Sequence, residues 1–285
     1  MSDSLELVTR LHEADRAVQG ALTAALPAIA RAADAIAERL ASGGRWFYIG
    51  AGTSGRLGAL DAAELPPTFG TDPSLVVALV AGGRAAMFEA VEGAEDDAVA
   101  GARDLGAAGL TGKDAVEGIA ASGATPYVVG ALQEAKRAGA FTVAVVCRQK
   151  SPLERLADIG ILLDTGKEVL AESSRLKAGT AQKIALNMLS TAVMAKRGLI
   201  YEGEMVAMQP TNEKLRRRAV RIVAEIARVD AGAAEDFLRR VNWHLPTALV
   251  SAKWGLDAPA ADLHLSKKSS NVADALTSPP EREDG

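Results

Sequence analysis

The stretch WFYIGAGTSGRLGALDAAELPPTFG, Trp46 to Gly70, most limits what this chain can fold into. An apolar strand runs through a glycine-rich turn straight into helix-forming sequence. The rhythm then repeats. Leu75–Val80 is a continuous apolar run, as expected for a strand covered on both faces. Ala115–Ile119 is a weaker third strand, Phe141–Cys147 a strong fourth and Ile159–Leu163 a fifth, with helical candidates between them at 55–63, 85–94 and 126–138. Strands alternating with helices predict an α/β fold, a parallel sheet with helices on both faces.

Helical sequence flanks that core. Leu7, Leu11, Ala14 and Val18 recur at helical spacing, as do Ile29, Ala33, Ile36 and Leu40, so residues 4–41 read as two helices stopped by Ser42-Gly43-Gly44. A long helix is expected over 178–197, ending near Gly198, and an amphipathic basic one over Thr211–Arg228. Shorter helical pieces follow, broken at Pro246 and around Gly255. The expected organisation is N-terminal helices over 1–41, the sheet domain over 42–205, a small helical subdomain over 206–276 and a disordered tail over 277–285.

Composition narrows the function classes. A net charge of −4 argues against nucleic acid, whose binders carry a basic excess. No apolar run approaches the ~20 residues of a membrane span, so no membrane partner is expected. The single cysteine, Cys147, lies in an apolar run and reads as core. His12, His244 and His264 are scattered, without metal-ligand spacing. The polar, acidic N-terminus has no signal-peptide pattern, which makes the cytoplasm the default location.

Gly50, Gly52 and Gly55 spell G-x-G-x-x-G, the dinucleotide fingerprint. A dinucleotide site also wants an acidic residue at the end of the second strand, to hold a ribose hydroxyl. Here that strand ends Val80-Ala81-Gly82-Gly83, which disfavours NAD. The glycines could serve helix–sheet packing alone, but a second turn argues for more. After the third strand comes AASGATPY, with Ser122, Gly123 and Thr125, then Pro126 where a helix opens. Thr53 and Ser54 give the first turn the same character. Both turns fall at the carboxyl ends of parallel strands, where open α/β sheets bind ligands. Backbone N–H groups, helix N-termini and hydroxyls suit the acceptor oxygens of a phosphomonoester such as a sugar phosphate.

Two carboxylates stand out nearby. Glu64 precedes Pro66-Pro67, which are expected to end its helix and fix its exit, although a helix glutamate is as often simply solvated. In EAVEGAEDD, most of Glu89, Glu92, Glu95, Asp96 and Asp97 must face solvent. Gly93-Ala94 interrupts the helix and puts Glu95 at a turn. Two glutamates beside a sugar phosphate suit proton abstraction α to a carbonyl, with the second supporting a leaving group or activating water. That chemistry needs no metal or organic cofactor, and none is signalled.

The segments YIGAGTSGRLGALDAAELPPTFG, AVEGAEDD, IAASGATPYVVGAL, SSRLKAGTAQKIALNMLSTAVM and TNEKLRRRA together resemble the N-acetylmuramic acid 6-phosphate etherases, bacterial enzymes of the sugar isomerase (SIS) fold. The likeness runs from about residue 5 to about residue 276. It implies a lyase of cell-wall amino-sugar recycling that cleaves a lactyl ether by elimination and hydration, giving N-acetylglucosamine 6-phosphate and D-lactate. It puts the catalytic glutamates at Glu64 and Glu95. It puts phosphate-binding groups at Thr53, Ser54, Ser122, Gly123 and Thr125, and a basic segment at Arg175 and Lys177, with Lys177 a substrate-binding candidate. A homodimer with sites near its interface is implied as well. The chain departs from the family's usual pattern at Glu172, where glycine is common, and at Ala124, where arginine is common.

Two other readings share these residues. Glucokinase regulatory protein has the same blocks, so a non-catalytic sugar-phosphate-binding regulator is the alternative. A sugar-phosphate isomerase would need the same proton abstraction without a leaving group.

Overall fold

The computed structural model describes residues 3–280. Its central sheet is parallel, with β1 (Trp46–Gly50), β2 (Val76–Val80), β3 (Ala115–Ile119), β4 (Phe141–Val146) and β5 (Ile159–Leu162) in the order β2-β1-β3-β4-β5. Gly50 pairs with Val80 on one side and Ile119 on the other. The chain steps outward from β1 to β2, then crosses back to β3 on the far side. The order therefore reverses between β1 and β3, the place where sheets of this kind open a crevice at their carboxyl ends.

The helices of this part of the chain are α1 (Ser4–Ala41), α2 (Gly52–Phe69), α3 (Ala98–Ala107), α4 (Pro126–Arg137), α5 (Pro152–Leu156) and α6 (Lys177–Lys196). Alternation along the strands divides the core. Phe47, Ile49, Val116, Ala144 and Val146 meet Tyr127, Val128, Ala131 and Leu132 of α4. On the opposite face, α2 passes so close to Tyr48 that a Cβ at Gly58 would lie 3.0 Å from the Tyr48 Cβ.

Residues 4–41 are one helix of 38 residues rather than the expected two. Pro27 removes a single backbone donor, while the buried stripe Val18, Leu22, Ala25, Ile29, Ala33, Ile36 and Leu40 keeps its three- and four-residue steps straight through it. By length and apolar content α1 could cross a bilayer, contrary to the expectation that no run comes near that length; here its apolar stripe is buried, packed against β3, β4 and β5.

Pro66-Pro67 does not end α2, which continues to Phe69. Proline's fixed φ is itself helical, and the last turn closes with the Gly70 N–H on the Pro66 carbonyl at 2.9 Å. The helix expected over 85–94 is absent. Gly82, Gly83 and Gly93 hold positive φ there, and the segment forms two short 3-10 turns, Gly83–Met87 and Ala94–Asp96. The unforeseen α3 lies beyond them, capped by Asp97, which accepts from the Ala100 N–H. It packs backbone to backbone on α4, since a side chain at Gly101 would collide with the Tyr127 carbonyl.

Two compact units divide the chain. One comprises the residues up to Ala63 together with Pro73–Val193 and contains the sheet. The other comprises Glu64–Asp72 and the chain from Met194 onward. The second holds a short antiparallel pair, β6 (Ile200–Tyr201) and β7 (Glu204–Met205), then α7 (Glu213–Ala227), α8 (Ala231–Arg240), α9 (Leu245–Trp254), α10 (Ala258–Lys267) and α11 (Val272–Thr277). Asn212, Asp230, Asp257 and Asn271 each cap a helix N-terminus with a side-chain oxygen. Ile222, Val223, Leu238, Leu249 and Leu276 form its core, with Trp243 and Trp254 packed against it. The expected tail falls partly outside the described residues, at 281–285, and Thr277 belongs to α11.

Candidate active site

The first turn is shaped by close backbone approach. A Cβ at Gly50 would lie 2.6 Å from the Gly55 Cα, and one at Gly55 would lie 2.7 Å from the Gly50 carbonyl oxygen. Strand end and first helical turn therefore touch, and Gly52 enters the helix at φ 51°. This brings Ser54, 8% exposed, to the start of α2. The second turn leaves β3 through Gly123, at φ 65°, against Ser151. Thr125 is the N-cap of α4 with Pro126 at its first position. Ser122 Oγ accepts from the Ala124 N–H at 3.2 Å and lies 3.4 Å from Thr125 Oγ1.

Because β1 and β3 are neighbours, the two turns open side by side into one cleft of about 770 Å³. Ser54, Ser122, Thr125 and Glu95 all line it. Arg148, Lys167, Glu168 and Glu172 line it too, from the turns after β4 and β5. Of these the sequence marks only Glu172, as a departure from the family's pattern. Glu168 is committed to structure, accepting the Ala178 N–H at 2.9 Å at the start of α6.

Glu95 sits on the 3-10 turn that follows Gly93, itself at φ 72°. The segment leading to it is tied to the first turn by Arg56, whose Nε donates to the Met87 carbonyl at 3.2 Å and whose Nη2 donates to the Glu89 carbonyl at 3.0 Å. Thr53, Gly123 and Lys177 are not among the lining residues. Thr53 is half-buried, with its Cγ2 towards Gly179, and Lys177 is buried at the first position of α6. Glu64 is exposed and belongs to the second unit.

Behind the first turn lies a buried polar network that the sequence motifs do not reveal. Ser54 Oγ donates to Gln182 Oε1 at 2.8 Å, and Gln182 is fully buried on α6. Deeper in, Asp61 accepts from the Tyr48 hydroxyl at 2.9 Å, from Asn187 Nδ2 at 2.7 Å and from Ser190 Oγ at 3.2 Å. Burial raises the Asp61 carboxyl, and these three donors oppose the rise. Glu117, fully buried on β3 beside Tyr48, is pushed well above the usual carboxylate range, first by burial and then by the nearby Asp61 charge. An acidic residue inside an apolar strand is the one sequence signal for this network.

Cys147 also lines the cleft. Burial, reinforced by the charges of Glu168 and Asp164, pushes its thiol up to about 12. That shift favours the neutral thiol over the nucleophilic thiolate. Among the described residues no group of acidic, histidine and cysteine side chains has the arrangement of a metal site.

Residues 28–136 match the family described as the glucokinase regulatory protein N-terminal SIS domain, and residues 99–192 match the SIS domain. The chain is 52% identical over 256 residues to the N-acetylmuramic acid 6-phosphate etherase of Salmonella typhimurium, covering 90% of this chain and 86% of that protein. It is 45% identical over 273 residues to N-acetylmuramic acid 6-phosphate etherase 1 of Enterococcus faecalis, covering 96% of this chain and 91% of that one. Among solved structures, a phosphoheptose isomerase from Francisella tularensis superposes with a TM-score of 0.56 at 20% identity, over 68% of this chain and all of that one. An Escherichia coli CFT073 protein, solved as a ligand complex, gives a TM-score of 0.52 at 16% identity, over 71% of this chain and 97% of that one. These two likenesses establish the shared SIS fold.

Proposed function

We propose that this chain, which belongs to the N-acetylmuramic acid 6-phosphate etherase family, cleaves the D-lactyl ether of N-acetylmuramic acid 6-phosphate, giving N-acetylglucosamine 6-phosphate and D-lactate. It is a carbon–oxygen lyase of amino-sugar recycling. The observation that carries this reading is the pair of hydroxyl-bearing turns on adjacent strands, opening into one cleft that Glu95 also lines.

The sugar's phosphate lies against Ser54, Ser122 and Thr125, in the turns that Thr53 and Gly123 help to shape, where hydroxyls and the N-termini of α2 and α4 favour an anion. Lys177 adds a positive charge at the start of α6. In the open-chain sugar the aldehyde acidifies the proton on C2. One of the pair Glu64 and Glu95 takes that proton. The C2–C3 double bond forms as the C3–O bond breaks, and the lactate oxygen leaves with a proton from the other carboxyl. Water then adds at C3 and a proton returns to C2, so that one water is consumed overall. No cofactor enters these steps. A homodimeric assembly and a cytoplasmic location go with this reading.

The test is D-lactate release from N-acetylmuramic acid 6-phosphate by the purified protein. Glu64→Gln and Glu95→Gln are each expected to lower kcat by at least about a hundredfold while binding of N-acetylglucosamine 6-phosphate persists. Full activity in either variant removes that residue from the chemistry. The match to the glucokinase regulatory SIS domain keeps one alternative in view, a non-catalytic sugar-phosphate sensor. Tight ester binding with no lactate released is the result that selects it.

A further inference from the structure

Ser54 lines the cleft, yet its hydroxyl proton points away from it, donated inward to Gln182 Oε1 at 2.8 Å. A hydroxyl that spends its proton there can offer a phosphate only lone pairs, which repel it. At the other end of the same amide, Gln182 Nε2 is buried without a hydrogen-bond partner among the described residues. An amide donor left unsatisfied in the interior is unfavourable, more so than an unsatisfied carbonyl oxygen with its spare lone pairs. The two ends of a carboxamide have nearly the same shape. Half a turn about its last side-chain bond exchanges them within the same space. After that exchange Nε2 donates to Ser54 Oγ, the orphaned donor is satisfied, and the Ser54 proton is free to turn into the cleft.

We propose that Gln182 is a positioning residue for the phosphate site, its side-chain amide donating to Ser54 Oγ so that the Ser54 hydroxyl donates to a phosphate oxygen. With the amide in that orientation the buried Nε2 donor is satisfied and the Ser54 hydroxyl keeps a proton to give to the cleft. Gln182 never touches the sugar. The proposal rests on the etherase reading only in taking the cleft to bind a phosphorylated sugar.

The experiment measures binding of N-acetylglucosamine 6-phosphate by calorimetry, and KM and kcat for D-lactate release, in wild type, Gln182→Met, Gln182→Glu and Ser54→Ala. Losing a hydrogen bond to a charged group predicts that Gln182→Met weakens ester binding and raises KM by about ten- to a hundredfold, with a smaller change in kcat. In a Ser54→Ala background the same substitution adds little, because the group it acts through is gone. Gln182→Glu keeps the shape but donates only when protonated. Its affinity relative to wild type is expected to fall as pH rises through the introduced carboxyl's pKa.

Ester affinity within twofold of wild type in Gln182→Met overturns the proposal, as does a Gln182→Glu pH profile parallel to wild type. A role in packing alone lowers Tm and leaves both readouts unmoved. Should Gln182→Met fail to fold, the Gln182→Glu profile decides alone. Wild type that binds the ester but releases no D-lactate rejects the etherase reading and leaves this test intact. Wild type that does not bind the ester overturns both.

Discussion

Tyr48 on β1 donates its hydroxyl to Asp61 Oδ2 on α2 at 2.9 Å, with both side chains buried between sheet and helix. Asn187 and Ser190 of α6 complete the shell around the same carboxylate. One side chain thus fastens β1, α2 and α6 together behind the first turn of the cleft.

Asp61→Ala takes from Tyr48, Asn187 and Ser190 the carboxylate that accepts from all three, Tyr48 and Ser190 being buried and Asn187 half-buried. The expected loss is on the order of 3 kcal/mol of unfolding free energy, read from urea denaturation. Asp61→Asn keeps an acceptor for part of the shell and costs less. Equal stability of Asp61→Ala and wild type would show that the network contributes nothing.

The burial of Glu117 sets the sign of a pH dependence in stability. Its carboxyl is raised in the folded state, so the folded protein binds its proton over a range where the unfolded chain has released it. Stability therefore falls as pH rises from the ordinary carboxylate value through the raised one. Glu117→Gln removes the titrating group. Its Tm is expected to decline less steeply than that of wild type as pH rises above the ordinary carboxylate range. Parallel profiles would assign the slope to other groups.

Gly55→Ala pushes a methyl group to 2.7 Å from the Gly50 carbonyl oxygen. The backbone must open the first turn to admit it, at a cost of about 1–3 kcal/mol. Sugar-phosphate binding is expected to weaken alongside the fall in Tm. Gly83→Ala is a useful contrast, since space there is open but φ is 70°, so strain comes without collision. It should lower stability and leave ester affinity close to wild type.

Cys147 is expected to resist alkylation. A thiol pushed up to about 12 is almost entirely neutral near pH 8, where the thiolate is the reactive form. Iodoacetamide should label native protein far more slowly than urea-unfolded protein, and bound N-acetylglucosamine 6-phosphate should slow it further because Cys147 lines the same cleft. Labelling of native protein at the unfolded rate would contradict this.

What the sequence makes legible is local. The run from Trp46 into Gly55, and Ser122 through Pro126, declare their strand–turn–helix units within a few residues, so the sheet and the two turns can be read directly. The extension of α2 through Pro66-Pro67 stays hidden as long as proline is read as a breaker, and the single α1 as long as its two runs of apolar spacing are read separately. Apolar faces continuing in phase on either side outweigh the few donors lost. The glycines of 82–93 act in the opposite sense, and the helix expected there gives way to turns. Ser54 and Gln182 meet across 128 positions of chain, and Asp61 and Ser190 across 129. No spacing rule reaches so far, and only the packed tertiary structure brings such residues together.

Arg56 follows directly on Gly55 and holds the backbone of Met87 and Glu89 with its guanidinium. Any shift of the first turn of α2 is thereby passed along a stiff side chain to the short segment that presents Glu95. The first turn and that segment move as one piece, and a substitution at Arg56 would let the two drift independently.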